Sequence, residues 1–176
     1  DNGEHFYRFM MKNHPEQRCF FVLKRDSRDW GRLQSEGFRL LDFGSRQHEE
    51  ELKRCSKIIS SHADGFVHSY FDDEFHLSKD FIFMQHGVTM NNLSSWLNGK
   101  RSISLMLTST KAEYDSIVRD YSPYNLTSHQ VSLTGFPRHD ALLLDGGRRY
   151  EDRQTIVIMP TWRNSLAGEK TGTGSE

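Results

Sequence analysis

The chain has 176 residues, 35% of them hydrophobic and 12% aromatic, with a formal net charge of -1. That apolar fraction suffices for a packed core and argues against a disordered chain, and the near-neutral balance supplies no basic field, so nucleic acid is not an expected partner. No stretch approaches the roughly 20 consecutive apolar residues of a membrane span, and the charged, amphipathic opening segment does not read as a signal peptide. The two cysteines, Cys19 and Cys55, are too far apart for a CxxC motif. They are read as buried free thiols of a reducing compartment.

In chain order, Phe6, Phe9 and Met10 share one face at helical spacing and predict a helix over 4–13, stopped by Pro15. The aromatic run 19–23 predicts a strand covered on both faces. Residues 29–36 read as a helix with Gly37 as its C-terminal cap, and 38–43 as the next strand. Ser45 is placed to N-cap a helix over 46–54, and 57–60 follows as a short strand. Residues 81–85 form the plainest strand pattern in the chain and run directly into His86 and Gly87. Another apolar run covers 103–108. After it, Ser109, Thr110 and Glu113 have the spacing of a capping box for a helix to about residue 119. A strand over 131–134, a short helix over 140–144, a charged linker with Gly146 and Gly147, and a last strand over 155–159 complete the pattern. The basic residues Arg148, Arg149 and Arg153 read as a solvated face.

Alternating strands and helices imply an α/β fold with a Rossmann-like, doubly wound parallel sheet. Ligands of such sheets sit beyond the carboxyl ends of the strands, so the residues just past those ends are the candidates. His86 is the first. An imidazole titrates near neutrality and can take a proton from an alcohol, and Gly87 beside it lets the backbone turn and a phosphate approach. The competing reading is a histidine that only bonds its own loop. Ser61, His62 and Asp64 do not make a triad on spacing, because adjacent residues point in different directions and no Gly-x-Ser-x-Gly elbow is present. Ser61 and His62 are read instead as lining the crevice. Arg138 and Arg163, each shortly after a proline that follows a strand, have the paired donors that suit phosphate; the alternative for Arg138 is a salt bridge to Asp140. The nine histidines lack the spacing of a zinc site, so no metal is expected. Each tryptophan (Trp30, Trp96 and Trp162) is read as packing rather than as a stacking platform. Neither a dinucleotide nor a P-loop fingerprint occurs, and no cofactor is expected.

Five blocks then carry a resemblance: residues 1–8 (DNGEHFYR), 58–64 (IISSHAD), 83–89 (FMQHGVT), 133–140 (LTGFPRHD) and 159–163 (MPTWR). In order and spacing they resemble the CDP-glycerol:poly(glycerophosphate) glycerophosphotransferase family, whose members polymerise teichoic acids and related capsule polymers. The resemblance implies a glycosyltransferase-B-like enzyme of two Rossmann-like domains, with residues 1–145 as the acceptor-side domain and 146–176 as linker and the start of the donor domain. It implies that His86 is the general base, with Gly87, Ser61, His62, Arg138 and Arg163 binding substrate. It further implies a CDP-glycerol or related CDP-polyol donor, a lipid-linked polyol-phosphate polymer as acceptor, release of CMP, and peripheral attachment to the cytoplasmic face of the bacterial plasma membrane. Two positions depart from the common pattern, Gln85 where many members have Trp and His139 where many have Asn. Residues gripping the donor pyrophosphate would lie beyond Glu176, so the chain is expected to be an inactive piece by itself. The rival readings are a nucleotide-sugar glycosyltransferase of the same architecture and a non-catalytic domain that binds a polymer or a partner.

Overall fold

The computed structural model describes residues 1–68, 70–71, 79–100, 103–145 and 158, and residues Asp1–Asp145 form one compact unit. The expected linker and second-domain start over 146–176 lie outside the described residues, Ile158 excepted. Helices and strands alternate as α1 (Asn2–Asn13), β1 (Phe21–Leu23), α2 (Trp30–Ser35), β2 (Leu40–Asp42), α3 (Arg46–Arg54), β3 (Lys57–Ser60), α4 (Gly65–His68) and β4 (Asp80–Phe83). They continue with α5 (Ser94–Leu97), β5 (Ile103–Thr108), α6 (Lys111–Val118), β6 (Val131–Leu133) and α7 (Pro137–Asp145). All strand pairs are parallel: β1 with β2 in one sheet, and β3, β4, β5 and β6 in chain order in the other. The chain is therefore an α/β protein built on parallel sheets, consistent with a Rossmann-like fold.

The helix ends obey local chemistry. Asp1 and Ser45 accept from the backbone N–H groups of Gly3 and His48 and so cap α1 and α3. After α2, Gly37 takes a left-handed φ of 87°, its N–H reaches the Gln34 carbonyl, and the Phe38 N–H reaches Leu33. Those two bonds and the Leu33–Phe38 contact make a Schellman stop, which a side chain at position 37 would strain. Phe38 is thus a cap and core residue, and the strand expected over 38–43 shortens to Leu40–Asp42.

In β4, Phe81 and Phe83 alternate onto one face and join Ile103, Met106 and Val131 of the neighbouring strands with Leu97 of α5 and Ile117 of α6. Met106 and Phe81 are essentially fully buried, each removal from water stabilising by roughly 1.5–3 kcal/mol. A smaller cluster of Tyr7, Leu33 and Phe38 fixes α1 and α2 against β1 and β2, with the Tyr7 and Phe38 rings stacked at 4.7 Å. The thiols are half-buried rather than buried: both are free, and Cys55 donates to the Leu52 carbonyl. No helix among the described residues is long and apolar enough to cross a membrane.

Two titrating groups couple this architecture to pH. Glu4 of α1 accepts from Arg32 of α2 and from Arg8, and mainly the Arg32 hydrogen bond holds its carboxyl at about 2, against an ordinary 4.5. A depressed carboxyl stabilises the fold above its ordinary value and ceases to do so as pH falls from 4.5 towards 2. Because the pair is solvent-facing, Glu4→Gln should lower stability at pH 7 by only about 1 kcal/mol in urea denaturation, and less in molar salt. His48 is buried against Phe43 and Tyr70, and its Nδ1 accepts the Gly44 N–H at 3.2 Å. Burial pulls its pKa below 6.5, so the folded ring resists the proton that the unfolded chain accepts. Thermal stability should decline on acidification from pH 7 to pH 5, and His48→Gln should flatten part of that decline.

Candidate active site

The carboxyl ends of β3, β4, β5 and β6 face one edge of the sheet, and the loops there bring together residues distant in sequence. β4 continues for one more ladder bond, Met84 N–H to the Ser60 carbonyl, and then turns at Gln85 with a left-handed φ of 59°. That turn releases His86 from the sheet and leaves its side chain exposed. The sharp conformation assigned in the sequence to Gly87 belongs to Gln85. A Cβ added at Gly87 would meet nothing within 4 Å, so what position 87 supplies is open space beside the imidazole.

His86 Nδ1 lies 3.3 Å from the main-chain carbonyl of Ser61. A carbonyl only accepts, so the neutral ring that makes this bond carries its proton on Nδ1 and leaves the Nε2 lone pair free. His62 stacks on the ring, with centroids 5.1 Å apart and planes 17° from parallel, and its own Nδ1 is 3.7 Å from the Asp64 carboxylate. Ser61 contributes its backbone carbonyl; its hydroxyl is buried, with no hydrogen-bond partner among the described residues. On the other side, the Arg138 guanidinium donates to the His86 carbonyl at 2.6 Å and packs over the Phe136 ring. This carbonyl bond, rather than the salt bridge to Asp140 weighed in the sequence, is the contact the side chain makes. Gly135, at φ 78°, turns the chain from β6 into the loop that delivers Arg138. His86, Gly87, His62 and Arg138 thus converge, whereas Arg163 lies outside the described residues, as does Trp162.

Sequence reasoning missed the polar layer beneath. Gln85, only 3% exposed, donates its amide to the Leu107 carbonyl at 2.6 Å and to Glu113, and accepts from the Thr89 hydroxyl. Glu113 is the third residue of α6, and its spacing alone marks it as a capping-box member. The Thr110 side chain does cap its N–H, but the carboxylate accepts from the backbone N–H groups of Ser109 and Thr89 as well as from Gln85. One buried carboxylate therefore ties the loop after β4 to the loop after β5. Asn2, with no exposed surface, reaches the same place from α1, donating to the Gln85 carbonyl and accepting from the Arg138 N–H. The capping spacing flagged Glu113; Asn2 falls in the resembling block 1–8, but nothing in the sequence pattern marks it as buried.

No group of three or more His, Cys, Asp or Glu side chains among the described residues is placed to hold a metal ion. A cavity of about 260 Å³ opens elsewhere, beside the amino ends of β1 and β2, with Met10, His14, Cys19 and Arg39 in its wall. It lies away from the strand ends that carry His86. Trp30 and Trp96 pack under Arg25 and beside Phe83, in keeping with structural roles.

The chain is 36% identical to the minor teichoic acid biosynthesis protein GgaB of Bacillus subtilis (strain 168), over 94% of this chain and 18% of that protein. It therefore spans less than a fifth of the relative's length. No solved structure matches it. The model of the CDP-Glycerol:Poly(glycerophosphate) glycerophosphotransferase family matches residues 1–174, and with a match over nearly its whole length the chain belongs to that family.

Proposed function

We propose that this chain is the acceptor-side part of an enzyme that moves glycerol phosphate, or a similar polyol phosphate, from a CDP-linked donor to the hydroxyl end of a teichoic-acid-like polymer. Family membership and the relative's role in teichoic acid biosynthesis support the reaction class. The observation that carries the local chemistry is the exposed His86 ring, whose Nδ1 is engaged by the Ser61 carbonyl while Nε2 stays open. In this reading the chain-end oxygen of the acceptor attacks the phosphorus that bears glycerol. The bridging P–O bond to CMP breaks, CMP leaves with the electron pair, and Nε2 of His86 takes the hydroxyl proton.

The surrounding groups have complementary tasks. His62, stacked on His86 with Asp64 behind it, presents its outer edge beside the base, where a phosphate of the acceptor chain would lie. Arg138 holds the His86 main chain through one nitrogen, and its half-buried guanidinium has further donors for phosphate oxygens. Gly87 gives the attacking end room to approach. The reading assigns donor binding, Arg163 included, to a second domain of a glycosyltransferase-B-like enzyme beginning near residue 146. It places the enzyme peripherally at the cytoplasmic face of the membrane, where a lipid-linked acceptor is accessible.

In the enzyme that carries this domain together with its donor-binding part, His86→Ala should reduce the turnover number for CMP release from CDP-glycerol by about 10²- to 10⁴-fold, with the thermal melt unchanged. A variant that keeps a rate near the parent's would remove His86 from the base role. The 176-residue chain alone should release no measurable CMP; steady CMP production by it would overturn the assignment of donor binding to other parts of the enzyme.

A further inference from the structure

The His86 loop is held by a closed circuit of three hydrogen bonds. Asn2 Nδ2 donates to the Gln85 carbonyl at 2.7 Å; Arg138 Nη1 donates to the His86 carbonyl at 2.6 Å; and the Arg138 N–H returns to Asn2 Oδ1 at a longer 3.4 Å. The two carbonyls are consecutive in the chain and flank the His86 Cα. Asn2 itself has no exposed surface, so both its donor and its acceptor are committed here. We propose that Asn2 is a positioning residue for His86, fixing the turn that aims the imidazole.

The physical need for such a residue lies at Gln85. A non-glycine residue at φ 59° is disfavoured by roughly 1 kcal/mol or more and persists only where its surroundings over-determine it. The Gln85 side chain is fixed from below by Leu107 and Glu113, but the peptide leading into His86 has to be fixed from above. Asn2 does so. Without it, the Gln85 carbonyl is left in a water-poor site with no donor, and the residue gains by relaxing to an ordinary backbone conformation. That relaxation swings the His86 ring away from the Ser61 carbonyl, and with the contact goes the reason for the proton to sit on Nδ1. Among the described residues, the groups at this junction are the Arg138 N–H and guanidinium from the start of α7, the Gln85–His86 peptide after β4, and the first turns of α1, where Asp1 accepts from the Gly3 N–H and His5 feels the Arg138 charge. A purely structural Asn2 that only ties α1 to α7 would need the Arg138 bond alone, yet the shorter of its two bonds goes to the histidine loop.

The inference rests on the reading of His86 as a base, but its first test does not need turnover. Long-range ¹H–¹⁵N correlation spectra of the 176-residue protein report which ring nitrogen of His86 bears the proton. The parent chain should show it on Nδ1. Asn2→Ala and Asn2→Ser, the second retaining a short polar group in the first turn of α1, should both move His86 towards the Nε2–H form while leaving the His48 signals in place. If either variant is folded by that criterion and His86 keeps its tautomer, Asn2 does not position it. The kinetic arm uses the enzyme with its donor-binding part. Asn2→Ser should lower the turnover number by about ten- to a hundredfold with the KM for CDP-glycerol unchanged. Combined with His86→Ala, it should add nothing further. Additive losses overturn the positioning role. If His86→Ala leaves the rate intact while the tautomer still depends on Asn2, the base assignment fails and the positioning inference stands.

Discussion

One backbone turn governs the arrangement at the strand ends. Gln85 leaves the sheet in a left-handed conformation, and everything nearby serves either to impose that turn or to use it. Its side chain is sunk into a polar layer whose centre is the Glu113 carboxylate, and its carbonyl is claimed by a side chain 83 residues away. A disfavoured conformation at a strand end is maintained only by such convergent support, and it delivers an exposed imidazole on a rigid base. The same support explains why position 85 tolerates a glutamine: the amide can donate to a carbonyl and a carboxylate and accept a hydroxyl at once, the full use of a group with two donor hydrogens and an acceptor oxygen.

The imidazole arrangement has a familiar logic with unfamiliar parts. A general base works best when one ring nitrogen is engaged so that the other is open. In many enzymes a carboxylate does this; here a main-chain carbonyl stands at Nδ1, and the Asp64 carboxylate sits behind the neighbouring His62. The pair of stacked rings is thus asymmetric: one is backed by a neutral dipole and the other by a charge. That asymmetry is what the proposed division of labour uses, one ring exchanging a proton and the other steadying anionic oxygen.

Much of the scaffold was legible in the sequence because it is written in short-range chemistry. The helix over 46–54 and the strands over 57–60 and 103–108 begin and end where their caps and apolar runs say. The helices at Gly65–His68 and Ser94–Leu97 were not foreseen, since four residues are too few to show a helical period. At the site, His86 was legible as a polar residue at the end of an apolar strand, and Arg138 by its place after a strand and a proline. The interior of the site was not. Asn2, Gln85 and Glu113 are polar residues whose burial sequence patterning does not show, and all three are buried. Some of their partners are local, but the bonds that join Gln85 to Glu113 and Asn2 to Gln85 and Arg138 span 28, 83 and 136 residues, a relation that no local spacing encodes.

The strand order has a consequence for how the site is assembled. β3 to β6 pair each with the next in the chain, so this sheet grows by short crossovers whose loop-closure cost is modest. The bond between Asn2 and Arg138 spans 136 residues and closes nearly the whole described chain on itself. With the sheet in place, the gap this bond closes is set by the folded elements between its ends and not by the length of chain. The loop that carries His86 is thereby tied to both ends of the Asp1–Asp145 unit, so an error in seating α1 or α7 reaches it directly.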